Sequence, residues 1–308
     1  MANEVISTNF VGTQAAGYIS KSTLEAASIA KGYVSIRTNI STPTAVPQVE
    51  ATEDLLQEYN ATFRAQGGFT KTQRMIIPRL LMVNLDWDKK VLLKDYESEK
   101  MAAGAMNKTF PADFMSYLME RVQSSVSRQI EDNLWRGQYN VASGRVQKFD
   151  GLISHLTGAI KPAGAVAFTQ ANIADAFEAA YLAAPDAVTE SPDFRFYVSP
   201  KTAKLYKTSL NNYLNLQTTG ERPLDWHGIE IVSVPGLAGV ENTIIVARTG
   251  NLWFATDLLS DASMVKILDM LEQTGDQNIR IRMELFVATQ VGYPEEVVVY
   301  TPASQNQV

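Results

Sequence analysis

The sequence predicts an α+β protein in which long, extended elements are combined with a separate compact part. Three observations support this fold class. Residues 112–136 contain neither Gly nor Pro and are typical of one long helix, and residues 278–291 alternate charged with aliphatic side chains as a long strand does. Between them, residues 166–256 carry helical and strand patterns in succession, which indicates a separate compact body.

The first fifty residues form a polar segment rich in small side chains, which we interpret as an arm. Within it, a helix is predicted over residues 21–32, followed by a β-prone stretch (32–40) and a proline-flanked stretch (41–48). A short helix is predicted next, over residues 52–64.

Residues 67–97 predict a long two-stranded ribbon. Its first half contains the apolar run 75–83, and Pro78 and Arg79 within that run restrict it to an edge or arm strand. The charged residues 86–90 (DWDKK) would then turn the chain into a second strand over residues 91–97. Because an apolar two-stranded ribbon is marginal in water and prone to aggregate, we expect it to lie on a partner surface.

The long helix has a narrow apolar side. Pro111 and Asp113 suit its first turn and Gly137 its end. Its apolar row has a strict four-residue spacing and comprises Phe114, Leu118, Val122, Val126, Ile130 and Leu134. Each step of four turns the row by about 40°, and the helix is roughly 39 Å long, so we expect no single flat core to cover it.

The second body is predicted from elements that follow the long helix. A helix over residues 169–184 places Ile173, Phe177 and Tyr181 on one face, and a strand (194–199) leads into a helix opened by Ser199 and Pro200. Short strands are predicted over residues 229–234, 243–247 and 251–256, and a last strand over 295–301.

Composition excludes several classes of protein. With 27 basic and 33 acidic residues the net charge is -6, which argues against a general binder of nucleic acid or anionic membrane. The absence of Cys excludes disulfides, thiolate catalysis and cysteine-based metal sites. The N-terminus lacks a signal-peptide pattern and no apolar run reaches the length of a membrane span, so we expect a cytoplasmic protein.

The sequence offers no catalytic constellation. His155 and His227 have no metal-type or triad-type neighbours, and the strong nucleotide, hydrolase and metalloprotease motifs are absent. Asp86 and Asp88 are interpreted as a solvated turn, and the carboxylates of residues 295 and 296 as strand neighbours on opposite faces. We therefore predict no enzyme activity, no cofactor and no metal. The arm, the ribbon and the helix instead expose surface that a monomer cannot bury, which favours assembly.

The order of these elements resembles that of a tailed-bacteriophage major capsid protein of the Hong Kong 97 type. The stretches that carry the resemblance are RLLMVNLDWDKK (79–90), ERVQSSVSRQIEDNLWRG (120–137), FDGLISHL (149–156), FRFYVSPKTAKLY (194–206), GIEIVSVPGL (228–237), NTIIVARTGNLWFATDL (242–258) and RIRMELFVATQVGYPEEVVVY (280–300). None is a specific signature, and the weight lies in their order along nearly the whole chain.

The resemblance implies a Hong Kong 97-like fold with four parts. They are an N-terminal arm (1–50), an extended loop or E-loop (67–97), a peripheral (P) domain (51–66, 98–165 and 276–293) with the spine helix 111–136, and an axial (A) domain (166–275 and 294–308). The E-loop residues expected to contact other subunits are Met75, Ile76, Ile77, Leu80, Leu81, Val83 and Trp87. Residues 211–221 and 235–240 are expected near the five-fold and six-fold axes.

The implied function is a structural one. The chain would assemble as pentamers and hexamers into the icosahedral shell around double-stranded DNA, in the host cytoplasm, and would become part of the virion. Its partners would be itself, weakly and non-specifically held DNA, and possible scaffolding, portal and decoration proteins, with no membrane. We expect no fused scaffolding segment and no Lys–Asn crosslink, although Lys71, Lys89 and Lys90 lie in the loop. The alternatives are an encapsulin-like compartment shell and a soluble α/β enzyme.

Overall fold

The computed structural model describes residues 26–51, 56, 58, 59, 62, 67–88, 112–139, 146–214, 224–257, 265–270, 274–276 and 278–302. The α-helices are α1 (Ala27–Ala30), α2 (Ala112–Arg136), α3 (Ile173–Leu182), α4 (Asp186–Thr189) and α5 (Pro200–Leu214). The strands are β1 (Ser35–Arg37), β2 (Thr44–Ala51), β3 (Phe69–Ile76), β4 (Arg79–Asp88), β5 (Phe194–Val198), β6 (Asp225–Trp226), β7 (Ile229–Ser233), β8 (Ile244–Arg248), β9 (Leu252–Thr256), β10 (Val265–Asp269), β11 (Asn278–Val291) and β12 (Val298–Tyr300). Short 3-10 helices are Leu152–Gly158, Pro235–Leu237, Thr249–Asn251 and Pro294–Glu296.

The first sheet is organised around the long strand β11. Its residues 278–287 pair antiparallel with β4, while β10 and β9 pair with it in succession at residues 279–283 and 287–291. Since the β11 residues bonded to β10 also pair with β4, these two strands flank β11 on opposite edges. The strand β1 adds parallel to β9. The predicted long strand over residues 278–291 is confirmed at both ends.

One face of this sheet packs on the long helix α2. The inward residues of β11 alternate with exposed ones, and Leu81, Val83, Leu85 and Trp87 of β4 lie half-buried against the same core. The predicted helix is confirmed, but its row is covered by one continuous core, contrary to the expectation drawn from its drift. Buried members of that row are Val122, Val126, Ile130 and Leu134. The side chains of Phe114 and Leu118 lie outside the described residues.

The row can be covered because the core is wrapped around the helix rather than flat. The sheet lies on one side of α2, while Leu152 and Leu156 of a 3-10 helix, Leu237 of another, and Ile29 of α1 contribute to the same cluster. Different elements therefore meet the helix where its apolar row turns away from the sheet.

The second sheet has the order β12-β8-β5-β7-β6 and carries α3 and α5. In its core the ring of Phe177 contacts the rings of both Phe196 and Tyr206. The amide of Thr202 donates to Ser199 Oγ at 3.1 Å, so Ser199 caps α5 as the sequence predicts. At the β6–β7 turn His227 and Gly228 both have positive φ, 49° and 83°, as a tight two-residue hairpin requires.

The ribbon differs from its prediction. The run of residues 75–83 is divided at Pro78 into two strands that belong to different sheets, because β3 pairs with β2 of the arm and β4 joins β11. Asp86 and Asp88 lie inside β4, so the predicted charged turn is wrong at these positions. Residues 91–97, the expected second strand, lie outside the described residues.

Several smaller expectations also change. The strands β9 and β10, which we grouped with residues 166–275, pair with strands of the first sheet instead. Residues 294–296 form a 3-10 turn and not a strand. In the predicted helix over residues 52–64, the described residues 56, 58, 59 and 62 are not helical. Of the predicted helix over residues 21–32, the described part is helical only over Ala27–Ala30.

Candidate subunit interface

Exposed apolar side chains are concentrated in one part of the chain. Among the described residues, nine of thirteen large exposed apolar side chains fall within residues 36–82. They are Ile36, Val49, Leu56, Tyr59, Phe69, Met75, Ile77, Leu80 and Met82. A cluster of this kind marks an interaction surface more often than isolated exposed residues do.

The outer face of the first sheet, which points away from α2, falls into three zones. At one end Ala255 and Ala288 are covered by Ile40 and Ile76, which form a small separate core with Trp253. At the other end the face is charged, with Arg280 Nε 3.0 Å from the Asp86 carboxylate.

Between these zones lies an uncovered apolar patch. Leu80 stands directly across from Phe286, and Met82 is the next outward residue of the same strand. Leu80 is 54 % exposed and Met82 63 % exposed, while Phe286 is half-buried. We call Leu80, Met82 and Phe286 the outer patch.

A groove adjoins the outer patch at the second edge of β4. Among the described residues no strand pairs with this edge, so a cavity of about 200 Å³ remains between it and α2. Val126, Ile130 and Phe149 line its apolar wall, and Gln129 and Lys148 its polar part. An unpaired edge beside an apolar wall leaves both hydrogen-bonding groups and apolar surface for a further chain.

The structure has a different ribbon from the predicted one, and from here on the ribbon means the pair β2 and β3. It is fixed at its root, near Thr44 and Ile76, and exposed towards its tip, near Ala51 and Phe69. At the root, Gln290 Nε2 donates to the Met75 carbonyl at 2.7 Å, and midway along the ribbon Gln48 Nε2 donates to the Gly292 carbonyl at 2.8 Å. Towards the tip, Phe69 is 76 % exposed and Val49 58 % exposed. The ribbon thus projects apolar side chains from an anchored base.

A half-buried histidine lies near the same root. His155, in the 3-10 helix Leu152–Gly158, has an Nε2 atom that is buried and finds no partner among the described residues. Burial lowers the pKa of His155 below 6.5; the nearby Arg74 of β3 adds to this effect, whereas Asp150 opposes it. Charging His155 at low pH would therefore place a second positive charge close to the ribbon.

The seven residues expected to contact neighbours divide into three groups. Met75, Ile77 and Leu80 are exposed, whereas Leu81, Val83 and Trp87 are half-buried against the core over α2. Ile76 is fully buried in the chain's own small core, so its assignment to a subunit contact is corrected. Met82 is also exposed although it is not among the seven, and the alternation of β4 from Leu80 identifies it once Pro78 is taken as a strand boundary.

Two segments are expected near the symmetry axes, and the structure describes one of them in full. Residues 235–240 begin with a 3-10 helix packed on α2, where Arg136 Nε donates to the Gly236 carbonyl at 2.8 Å and Leu237 is buried. Because these contacts lie within one subunit, the expected position of this segment near the axes stays a prediction. Of residues 211–221, the helical backbone to Leu214 is described and the rest lies outside the described residues.

Two further observations concern possible metal ligands and membrane spans among the described residues. In that part of the chain no group of three or more His, Cys, Asp or Glu side chains could hold a metal ion. Its helices also include none with the length and apolar character needed to cross a bilayer.

Comparison with known proteins identifies similar chains. A family described as SU10 major capsid protein matches residues 98–270. No curated protein sequence is significantly similar.

Solved structures of similar fold include capsids. The capsid of Myoviridae phage XM1 is 14 % identical with a TM-score of 0.61, over 98 % of this chain and 95 % of that one. The capsid of a native GTA particle is 13 % identical with a TM-score of 0.59, over 92 % and 91 %. The procapsid of satellite phage P4, which includes the size determination (Sid) protein, is 10 % identical with a TM-score of 0.59, over 92 % and 96 %.

Proposed function

The chain belongs to the SU10 major capsid protein family, and we propose that the outer patch and the ribbon are the surfaces through which its copies join. As a member of this family it is a shell-forming structural protein of a phage, located in the virion capsid. The family and the fold imply a non-enzymatic role. Of the three functions that the sequence left open, this supports the phage capsid protein over an encapsulin-like compartment shell and a soluble α/β enzyme.

A single observation supports the choice of surface. Five of the nine exposed apolar residues within 36–82 lie in the ribbon and in the outward row of β4, namely Val49, Phe69, Met75, Leu80 and Met82. A second copy of the chain is the partner that a shell supplies at high local concentration. Full burial of an exposed Leu or Met is worth roughly 1.5–3 kcal/mol, and Leu80 and Met82, 54 % and 63 % exposed, would each contribute about half of that.

The finer assignments follow the same proposal. The strands β3 and β4 belong to the extended loop of residues 67–97, and the arm, which supplies most of β2, contacts another copy. The helix α2 is the spine of a peripheral part that includes the first sheet. The second sheet is the axial part. Copies gather as pentamers and hexamers in the host cytoplasm around double-stranded DNA, which the acidic chain holds weakly. Scaffolding, portal and decoration proteins are further partners.

Point substitutions in the outer patch test the proposal better than deletion of the loop. Removing residues 69–95 would take away β4 and the core side chains of its inward row, so loss of shells would also follow from unfolding. Leu80→Glu and Met82→Glu instead place a charge on the exposed outer face. We expect each variant to reduce the yield of shells at least tenfold under conditions in which the wild-type chain forms them, measured by sedimentation and negative-stain electron microscopy.

Asn84→Glu is the matched control. Asn84 is the next outward residue of the same strand and lies at the polar border of the outer patch, where its Nδ2 donates to Met82 Sδ at 3.5 Å. We expect this variant to form shells normally. The free energy of unfolding of each of the three variants should lie within about 0.5 kcal/mol of the wild-type value. Wild-type yields of shells from both Leu80→Glu and Met82→Glu would show that the outer patch is not a subunit contact.

A further inference from the structure

The long helix carries a carboxylate that is buried inside the subunit. Glu131 is 3 % exposed, and both of its oxygens accept hydrogen bonds from one residue of the arm. Ser28 Oγ donates to Oε1 at 2.6 Å and the Ser28 amide donates to Oε2 at 2.9 Å. The Gly236 amide is a further donor. Three separate parts of the chain, α1, α2 and the turn at 235–237, therefore meet at this carboxylate.

The surroundings leave little room for another arrangement. Trp135, one turn along α2, is fully buried and its Nε1 donates to Ser28 Oγ at 2.8 Å. A Cβ atom on Gly236 would lie 2.4 Å from the Glu131 carbonyl oxygen, so only glycine permits this close approach. Ser28 is thus held between the carboxylate and the indole, and the arm is docked on the helix through it.

Charged groups near Glu131 do not neutralise it. On α2, Asp132 adds a like charge, and Arg136 is 3.6 Å from the Asp132 carboxylate while it donates to the turn. On α1, Ser28 is the facing residue, and the next cation, Lys31, lies over the Tyr33 ring. The turn at 235–237 has no titratable side chain.

The remaining titratable neighbour is neutral. Tyr197 of β5 contacts the Trp135 ring at 5.2 Å, and burial raises its pKa to about 12. The three donors to Glu131 are also neutral. Burial outweighs them and raises the pKa of Glu131 above 4.5.

We propose that Glu131 is a proton-dependent latch, so that docking of the arm on the long helix is coupled to uptake of a proton by this carboxylate. When the arm leaves, Glu131 meets water and ionises as an ordinary carboxyl does. Docking is therefore tightest at low pH. It weakens as the pH rises from 4.5 to the raised pKa of the docked state, and is constant above that value. The contacts lie within one subunit, so this inference is independent of the subunit surfaces proposed above.

Hydrogen exchange of the full-length protein tests the latch. The protection factor of peptides covering residues 26–34 is measured between pH 4 and pH 8, relative to peptides from β5 in the second sheet. We expect the relative protection of the arm to fall with rising pH, by up to about tenfold per pH unit within the window. In Glu131→Gln, which has no ionisable group there, we expect less than a twofold change over the same range.

Two further variants keep the test decisive. Glu120→Gln is the matched control, because Glu120 is exposed on the same helix, and it should retain the wild-type pH profile. Ser28→Ala removes one donor from the ionised carboxylate and should extend the window to higher pH, a result that remains measurable if Glu131→Gln does not fold. Any of three results would overturn the latch. The relative protection of the wild-type arm could be independent of pH, Glu131→Gln could show the wild-type pH profile, or Ser28→Ala could leave the pH window unchanged.

Discussion

The core around α2 and the ribbon with the outer patch contrast in how they bury apolar side chains. Around α2, helices, turns and a sheet face converge from several directions, and residues such as Leu134 and Trp135 are fully buried. In the ribbon and outer patch, Phe69 and Met82 remain more than half exposed. One subunit thus completes its first region alone and leaves the second to be covered by another chain.

The largest effect on stability should come from a substitution in the core around α2. Trp135→Ala removes a buried indole, its bond to Ser28 and its contact with Tyr197. We expect the free energy of unfolding of the unassembled subunit to fall by about 3–5 kcal/mol, measured by urea unfolding. Arg128→Ala, at an exposed position of the same helix, is the control and should change it little. A loss of less than about 1 kcal/mol in Trp135→Ala would contradict the contrast between the two regions.

A smaller loss is expected where the turn at 235–237 approaches α2. In Gly236→Ala the added methyl would lie 2.4 Å from the Glu131 carbonyl oxygen and 2.6 Å from Trp135 Cδ1, so the turn must move. We expect a loss of about 1–3 kcal/mol in the same unfolding measurement. Ala238→Ser adds one atom at an exposed position two residues away and serves as the control. Equal stability of the two variants would mean that the close approach is not needed.

The smallest effect should come from the ribbon root and should depend on pH. Because the pKa of folded His155 lies below 6.5, its contribution to stability is present above pH 6.5. That contribution is lost as the pH falls from 6.5 through the lowered pKa, with a slope of at most about 1.4 kcal/mol per pH unit for one proton. We expect His155→Asn to remove this component from the unfolding free energy measured between pH 7 and pH 4. His227→Asn, at an exposed turn, is the control, and an identical pH profile in both variants would refute the assignment.

Short-range sequence patterns were enough to predict most of the helices and strands. The absence of Gly and Pro with flanking Pro111 and Gly137 predicted α2, alternation predicted β11, and Ser199 before Pro200 predicted the cap of α5. Each of these features depends on neighbours within a few residues, which is the range over which helix and strand periodicity operates. The order of the elements was also enough for the capsid fold, although no short motif was specific.

Long-range pairing decided what the pattern left open. Pro78 marked a break, but which sheet received each flanking strand depended on residues about two hundred positions away in β11 and on the arm. The burial of side chains also depends on distant segments. Ile76 is buried and Leu80 is exposed because Ile76 belongs to the small core with Trp253 and Leu80 does not. Glu131 is buried because the arm and the turn at 235–237 cover it. Periodicity assigns a residue to a face of its element, whereas the burial of that face depends on which distant segment covers it.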